Sequence, residues 1–237
     1  MKNVLPKSFL DRSRENYELK KRLFSGCKNL TIVPCSDWMA DFVRESFLKD
    51  KRIAVIKNGV DLNVFRPLVR KGDKGRLSIL AVSSIWNKEK GLYDIYRLRE
   101  LIPREYAITI VGLTAKQIRQ LPVGIKGIER TQNVNELVRL YSDADVFINP
   151  TYADTFPTVN LEALACGTPV LTYRTGGSPE AVTEETGWVV EQGDVEGMAT
   201  IVNSLEKRVK SVDDEKRKAC RLRAEQEFDK EKCLKSI

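Results

Sequence analysis

The chain has 237 residues, with 40 Lys and Arg against 33 Asp and Glu, a net charge of +7, and no histidine. Its length holds one large α/β domain or two small ones around a substantial core, and without histidine no histidine-based acid, base or nucleophile can come from this chain's own residues. The basic balance suits a phosphorylated substrate, an anionic membrane surface or nucleic acid, although a solvated surface accounts for most of these residues individually.

Five cysteines (Cys27, Cys35, Cys166, Cys220, Cys233) are odd in number and lack a CxxC spacing. Neither a zinc site nor a disulfide framework is expected, and a reducing cytoplasm is the expected home. No long apolar run follows Met1, which argues against a signal peptide or membrane span. Residues 1–26 are basic and weakly periodic, with Asp11 to Phe24 read as a helix or a loose leader. The Lys/Arg-rich first 22 residues are a candidate contact for an anionic membrane. Leu30 to Pro34 reads as a strand, Ser36 as an N-cap and Asp37 as a first-turn acid. Trp38, Met39, Phe42, Val43 and Phe47 form a helical stripe expected to pack in the core. Ile53 to Ile56 is a second short strand, ending at the Asn58-Gly59 turn.

From Ser78 onward apolar runs alternate with helical patterns. The runs are Ser78–Val82, Ala107–Gly112, Gly124–Ile128, Val146–Asn149, Val170–Tyr173 and Trp188–Val190. The helices are Leu92–Leu101, Ala115–Gln120, Asn135–Ser142, Thr158–Cys166, Pro179–Thr183 and Val195–Lys207. Such alternation predicts an α/β, Rossmann-like, doubly wound parallel sheet, with its ligand beyond the carboxyl ends of the strands. Asp213 to Leu234 reads as one long charged helix anchored by Leu222 and Phe228. No heptad persists, so it is not a coiled coil.

Asn149 to Gly177 is the stretch richest in chemistry. A strand end, a polar loop, an apolar helix starting near Pro157 and closed by Gly167, a strand and a glycine loop follow one another. Glu162 stands out, because a carboxylate in an apolar helix costs several kcal/mol unless something binds it. Its side chain leans toward Thr158 and the loop bearing Asp154, at a helix start suited to a phosphate. A buried arginine or backbone donor would also satisfy it. Asp143 and Asp145 have the spacing of a metal pair, but they stand at a strand entry where helix capping accounts for one of them.

DTFPTVNLEALACGTPVLTYRTGGSPEAV (154–182) resembles the donor-site signature of the group 1, glycogen-synthase-like, retaining glycosyltransferases: two acids eight apart, then EA-A-GTPV and GG-PE. NGVDLNVFRP (58–67) is similar to that family's interdomain segment, and KEKGL (88–92) to its phosphate-binding region. The likeness covers most of residues 27–230. It implies the two-Rossmann-domain architecture called GT-B. Residues 1–57 would be a remnant of the acceptor domain, 58–208 the donor-binding domain, and 209–237 a C-terminal helix crossing back. On this reading the polypeptide is a fragment or truncated product with little activity alone, and its uncovered apolar surface favours self-association.

The resemblance implies transfer of a sugar from a nucleotide-diphosphate sugar to a saccharide or lipid-linked acceptor, with bacterial polysaccharide or glycolipid synthesis as the setting. Glu162 would meet the ribose hydroxyls, and Asp154, where the family usually carries Glu, the transferred sugar. A turn-capping role competes for Asp154. Lys90 would meet the diphosphate, with Lys88 replacing the family's arginine as a point charge and Ser83 and Ser84 adding hydroxyls. The backbone of Thr155, Phe156, Thr158 and Val159 would complete the donor site, Thr158 and Val159 being the better phosphate donors. No cofactor or metal is expected, and base selection is expected near Gly112, Leu113 and Arg130 to Asn133. UDP-sugar 2-epimerases share the architecture but rely on histidine, and a non-catalytic nucleotide-sugar-binding module is the other alternative. Specific nucleic-acid binding is not expected, since aromatics do not interleave the basic clusters.

Overall fold

Short β-branched and apolar runs make the strands of one central sheet in a computed structural model that describes residues 11–70, 76–205 and 213–235. The strands are β3 (Ser78–Val82), β4 (Ala107–Val111), β5 (Ile125–Ile128), β6 (Val146–Asn149), β7 (Val170–Tyr173) and β8 (Gly187–Val190), all parallel in the order β5-β4-β3-β6-β7-β8. Parallel strands covered on both faces lose the in–out alternation, and β6 and β7 are buried at every position. The chain starts at β3, steps outward to β5, then returns to β6 on the other side. The carboxyl ends of β3 and β6 therefore splay apart at the switch point, which is where such sheets open a crevice.

Each face of the sheet is covered by its own apolar layer. Ile79, Ala81, Ile108, Ile110 and Ile148 pack with Leu92, Ile95 and Leu98 of α3 (Leu92–Leu101) and with Met198 and Val202 of α7 (Val195–Leu205). On the other face Leu80, Phe147 and Val170 pack with Val138 and Tyr141 of α5 (Val134–Asp143) and with Leu161, Ala163 and Leu164 of α6 (Thr158–Ala165). A short α4 (Ala115–Arg119) starts with a capping box between Thr114 and Gln117. The sequence places every one of these elements to within a residue or two, except that the expected helix Pro179–Thr183 is a 3-10 turn at Ser178–Ala181. The expected end of α7 at Lys207 lies outside the described residues.

Before the sheet lies a smaller unit. Helix α1 (Ser13–Ser25) buries none of its residues; the first ten residues of the basic leader lie outside the described ones. Strands β1 (Thr31–Ile32) and β2 (Arg52–Ile53) pair in parallel and are shorter than expected. Between them α2 (Asp37–Arg44) is capped by Ser36, whose hydroxyl accepts from the Met39 N–H at 3.1 Å. The expected core stripe of α2 is corrected here: Trp38 is 36% and Phe42 46% exposed, resting edge-to-face on each other, and only Ala40 is buried. Met39, Val43 and Phe47 of the same stripe are half-buried, Phe47 edge-to-face on Tyr17 of α1.

The C-terminal segment also differs from expectation. It forms two helices, α8 (Asp213–Glu227) and α9 (Lys230–Lys235), divided where Phe228 and Lys230 exchange backbone hydrogen bonds with Val60 at 2.8 and 3.1 Å. Phe228 is buried as expected, but Leu222 is 52% exposed, and the other anchors are the small Cys220 and Ala224. Arginines attach α8 to α6. Arg221 donates to the Ala165 and Phe65 carbonyls at 3.0 and 2.9 Å, and Arg217 to the Gly167 carbonyl at 3.1 Å. Cations at the carboxyl end of α6 complement its dipole.

Candidate functional site

The crevice at the switch point is a cleft of about 220 Å³. One wall follows β3: Ser83, Ser84, Trp86 and Lys90. The other follows β6: Asn149, Asp154, Phe156, Thr158 and Val159. Six of the nine sequence-predicted site residues, Ser84, Lys90, Asp154, Phe156, Thr158 and Val159, thus meet on one cavity.

Lys90 is aimed by the turn beneath it. Its N–H donates to the Asn87 side chain at 2.9 Å, and Gly91 follows with φ +72°, packed where a Cβ would collide with the Pro150 carbonyl. The Lys90 ammonium then meets Asp154 Oδ2 at 2.7 Å, the two side chains being 32% and 20% exposed. The other oxygen, Asp154 Oδ1, accepts from the Phe156 N–H at 3.3 Å. Asp154 therefore caps its own turn and faces the lysine together. Gly176, at φ +53°, lies against the Asp154 carbonyl, where no side chain fits, and fixes the loop from behind.

Helix α6 opens into the cleft behind Pro157 with no side-chain cap and no acid in its first turn. The N–H groups of its first turn and the helix dipole favour an anion there. With the Lys90 ammonium alongside, the arrangement suits a phosphate or diphosphate.

Lys88 and Thr155 do not line this cavity. Lys88 is exposed on the turn whose carbonyl accepts from the Gly91 N–H at 3.0 Å, so the bend that aims Lys90 inward leaves Lys88 in solvent. Thr155 is exposed, its carbonyl packed on Gly177. Glu162 also stands off the cleft wall, one helical turn below Thr158. Its Oε2 accepts from the Tyr141 hydroxyl at 2.9 Å, so a phenol from α5 holds it rather than an arginine or the backbone. Burial pushes its carboxyl pKa up to about 7, against a smaller downward pull from the Tyr141 hydrogen bond. Asp145 is no helix cap either. It accepts from the Ser78 N–H at 2.7 Å and pairs with Arg70, while Asp143 faces Arg139 at 3.9 Å. Among the described residues no cluster of three or more acidic or cysteine side chains could hold a metal ion.

Sequence reasoning missed the residues that hold the walls. Trp86 lines the cleft and donates its indole N–H to the Val111 carbonyl at 2.8 Å. Asn149 donates to Asn160 at 2.9 Å, joining the end of β6 to α6. The Tyr152 N–H donates to the Glu89 carbonyl at 2.7 Å, and the Tyr152 and Tyr173 hydroxyls both donate to Asp94 Oδ2 at 2.7 Å. Burial first, and Asp94 second, push the Tyr152 pKa up to about 12 and raise that of Tyr173. These bonds tie the Lys90 turn to the Asp154 loop. Asn149 and Asn160 carried a readable signal, being amides in otherwise apolar elements.

Two further features lie outside the cleft. Arg130 to Val134 and Leu137 border an open hollow of about 630 Å³ at the end of β5 and the start of α5. Glu180, from the GG-PE run, accepts from the Asp37 and Trp38 N–H groups at 3.0 and 2.8 Å and faces Lys57 at 3.5 Å. That acid caps α2 and attaches the smaller unit to the glycine loop.

Residues 76–208 match the family model described as glycosyl transferases group 1. Glycogen synthase of Mycobacterium tuberculosis is 32% identical over 188 residues, covering 74% of this chain and 45% of that protein. A sulfoquinovosyl transferase of Arabidopsis thaliana is 26% identical over 200 residues, covering 78% and 39%. Sucrose-phosphate synthase from Thermosynechococcus elongatus superposes with a TM-score of 0.83 at 21% identity, over 99% of this chain and 63% of its own. The Anabaena protein HepE, solved in complex with UDP, gives 0.79 at 19% identity, over 95% and 66%. The chain spans half or less of the length of the curated relatives it matches.

Proposed function

The chain belongs to the group 1 glycosyltransferases, and from that premise we propose that its cleft receives the diphosphate of a nucleotide sugar. The whole protein then transfers the sugar, with retention, to a saccharide or lipid-linked acceptor. The observation that carries this reading is the position of the Lys90 ammonium beside an uncapped helix start at the switch point. Departure of the nucleotide diphosphate is the demanding event in such a transfer. Lys90 and the N–H groups of Thr158 and Val159 are fixed where that charge develops, and dipoles held in place need no reorganisation as it does. No metal is assigned to the reaction.

We assign Asp154 to the transferred sugar, which the cleft would hold beside it. Glu162 is assigned to the ribose: Tyr141 occupies one carboxyl oxygen, and the other remains able to accept a hydroxyl. The hollow at Arg130 to Leu137 is the place for the base. The division at 58 and 209, with residues before and after the donor domain belonging to an acceptor side, is part of the same reading. The HepE complex with UDP supports a nucleotide at this fold. The polysaccharide or glycolipid setting rests on a family that includes a glycogen synthase and a sulfoquinovosyl transferase.

Calorimetry of the chain with a panel of nucleoside diphosphates and their sugar conjugates tests the site. Replacing Lys90 with Gln removes a charge-assisted contact worth about 1.5–3 kcal/mol, so roughly ten- to hundredfold weaker binding is expected. No binding at millimolar ligand by the wild type overturns the reading.

A further inference from the structure

The Lys90–Asp154 pair sets the protein's own carboxylate beside the anion site. Lys90 is the cation of the cleft wall, and its ammonium is spent on Asp154 Oδ2 at 2.7 Å. A diphosphate seated at the start of α6 competes with Asp154 for the Lys90 ammonium. Asp154, a partly buried carboxylate, then keeps the Phe156 N–H on Oδ1 but has its contact on Oδ2 weakened, beside an incoming anion. An unpaired buried charge is strongly unfavourable.

The loop has little room to carry Asp154 away. Its carbonyl accepts from the Gly177 N–H at 3.3 Å and lies against Gly176, while Tyr152 is held at Glu89, Asp94 and, through its carbonyl, the Gln192 amide at 3.0 Å. The backbone keeps the carboxylate at the cleft, and the terminal phosphate of a nucleoside diphosphate offers it only more negative charge. The sugar of an intact donor, attached beyond the second phosphate, offers hydroxyl protons.

We propose that Asp154 is a specificity-determining residue that discriminates between a nucleotide sugar and its spent nucleoside diphosphate. The intact donor exchanges the Lys90 contact for sugar hydroxyls. The diphosphate alone takes Lys90 and gives Asp154 nothing in return. Product is therefore bound less tightly than it would be with a neutral residue at this position, which favours its release. This inference rests on the nucleotide-sugar reading of the cleft.

The test is calorimetry of wild type, Asp154→Asn and Asp154→Ser with UDP, UDP-glucose, GDP and GDP-mannose. Both substitutions keep an acceptor for the Phe156 N–H, so either serves if the other folds poorly. The expected result is that binding of the matching nucleoside diphosphate tightens on the order of tenfold in the variants, as removal of a competing charge-assisted pair implies. The sugar conjugate gains nothing or weakens. An equal change for both ligands, in either direction, overturns the discrimination while leaving the cleft a nucleotide site. Failure of wild type and variants to bind any of the four overturns the underlying reading instead.

Discussion

A carboxylate on a helix as apolar as α6 persists only where something donates to it, and the Tyr141 hydroxyl does so. Burial nevertheless raises the Glu162 pKa to about 7 from an ordinary 4.5. Between those values the folded chain keeps a proton that the unfolded chain has released. The stabilisation from that proton is complete below about 4.5 and is lost as pH rises through 7. Glu162→Gln retains the hydrogen bond without the titration. Urea unfolding should show the wild type losing about 2–3 kcal/mol between pH 5 and 8 that the variant keeps. A variant as pH-sensitive as the wild type would refute this. The sequence showed that Glu162 was anomalous but not who held it, because Tyr141 lies 21 positions earlier on another helix. Lys88 and Lys90 were equally indistinct, since only the bend at Gly91 decides which one faces inward.

At the scale of elements, the six strands were legible because strands covered on both faces are nearly continuous apolar runs, and their loops carry the motifs. The helices at the two ends were misread for opposite reasons. The α2 stripe of Trp38 and Phe42 is apolar but exposed, since periodicity reveals a face without revealing what covers it. Helix α8 hides its contacts in small residues, Cys220 and Ala224, and in arginines that act as backbone donors, none of which a hydrophobic pattern counts. Arg221 is the clearest case, reaching Phe65 and Ala165 while paired with Glu225 at 2.6 Å. Arg221→Ala should lower stability by about 1–3 kcal/mol, read as a melting temperature lower by several degrees. Nucleotide affinity should stay at the wild-type value. A loss of affinity without a loss of stability would mean that α8 acts on the cleft directly.

Across the whole molecule, polar and apolar surfaces are unevenly distributed. Trp38, Phe42 and Val33 stand exposed on the smaller unit, and Tyr17, Leu23 and Phe24 on α1, among the lysines and arginines of that helix. Exposed apolar clusters of this kind promote association. Light scattering at rising concentration should show self-association by the chain, reduced when Trp38 and Phe42 are both replaced by Ser. A clean monomer throughout would dismiss it. Among the described residues no helix is long and apolar enough to cross a membrane. A peripheral contact through the basic leader is a separate proposal, decided by flotation with anionic vesicles with and without residues 1–22.

The Asp154 carbonyl accepts from Gly177, Gly177 accepts from the Glu180 N–H at 3.2 Å, and the Glu180 carboxylate grips the first turn of α2. Three residues thus form a short bridge from the rim of the crevice to the backbone of Trp38. Cutting that connection with Glu180→Ala removes two hydrogen bonds from the start of α2, so a melting temperature lower by several degrees is expected. The same chain should take up the same ligand with unchanged affinity, since Glu180 lies outside the crevice.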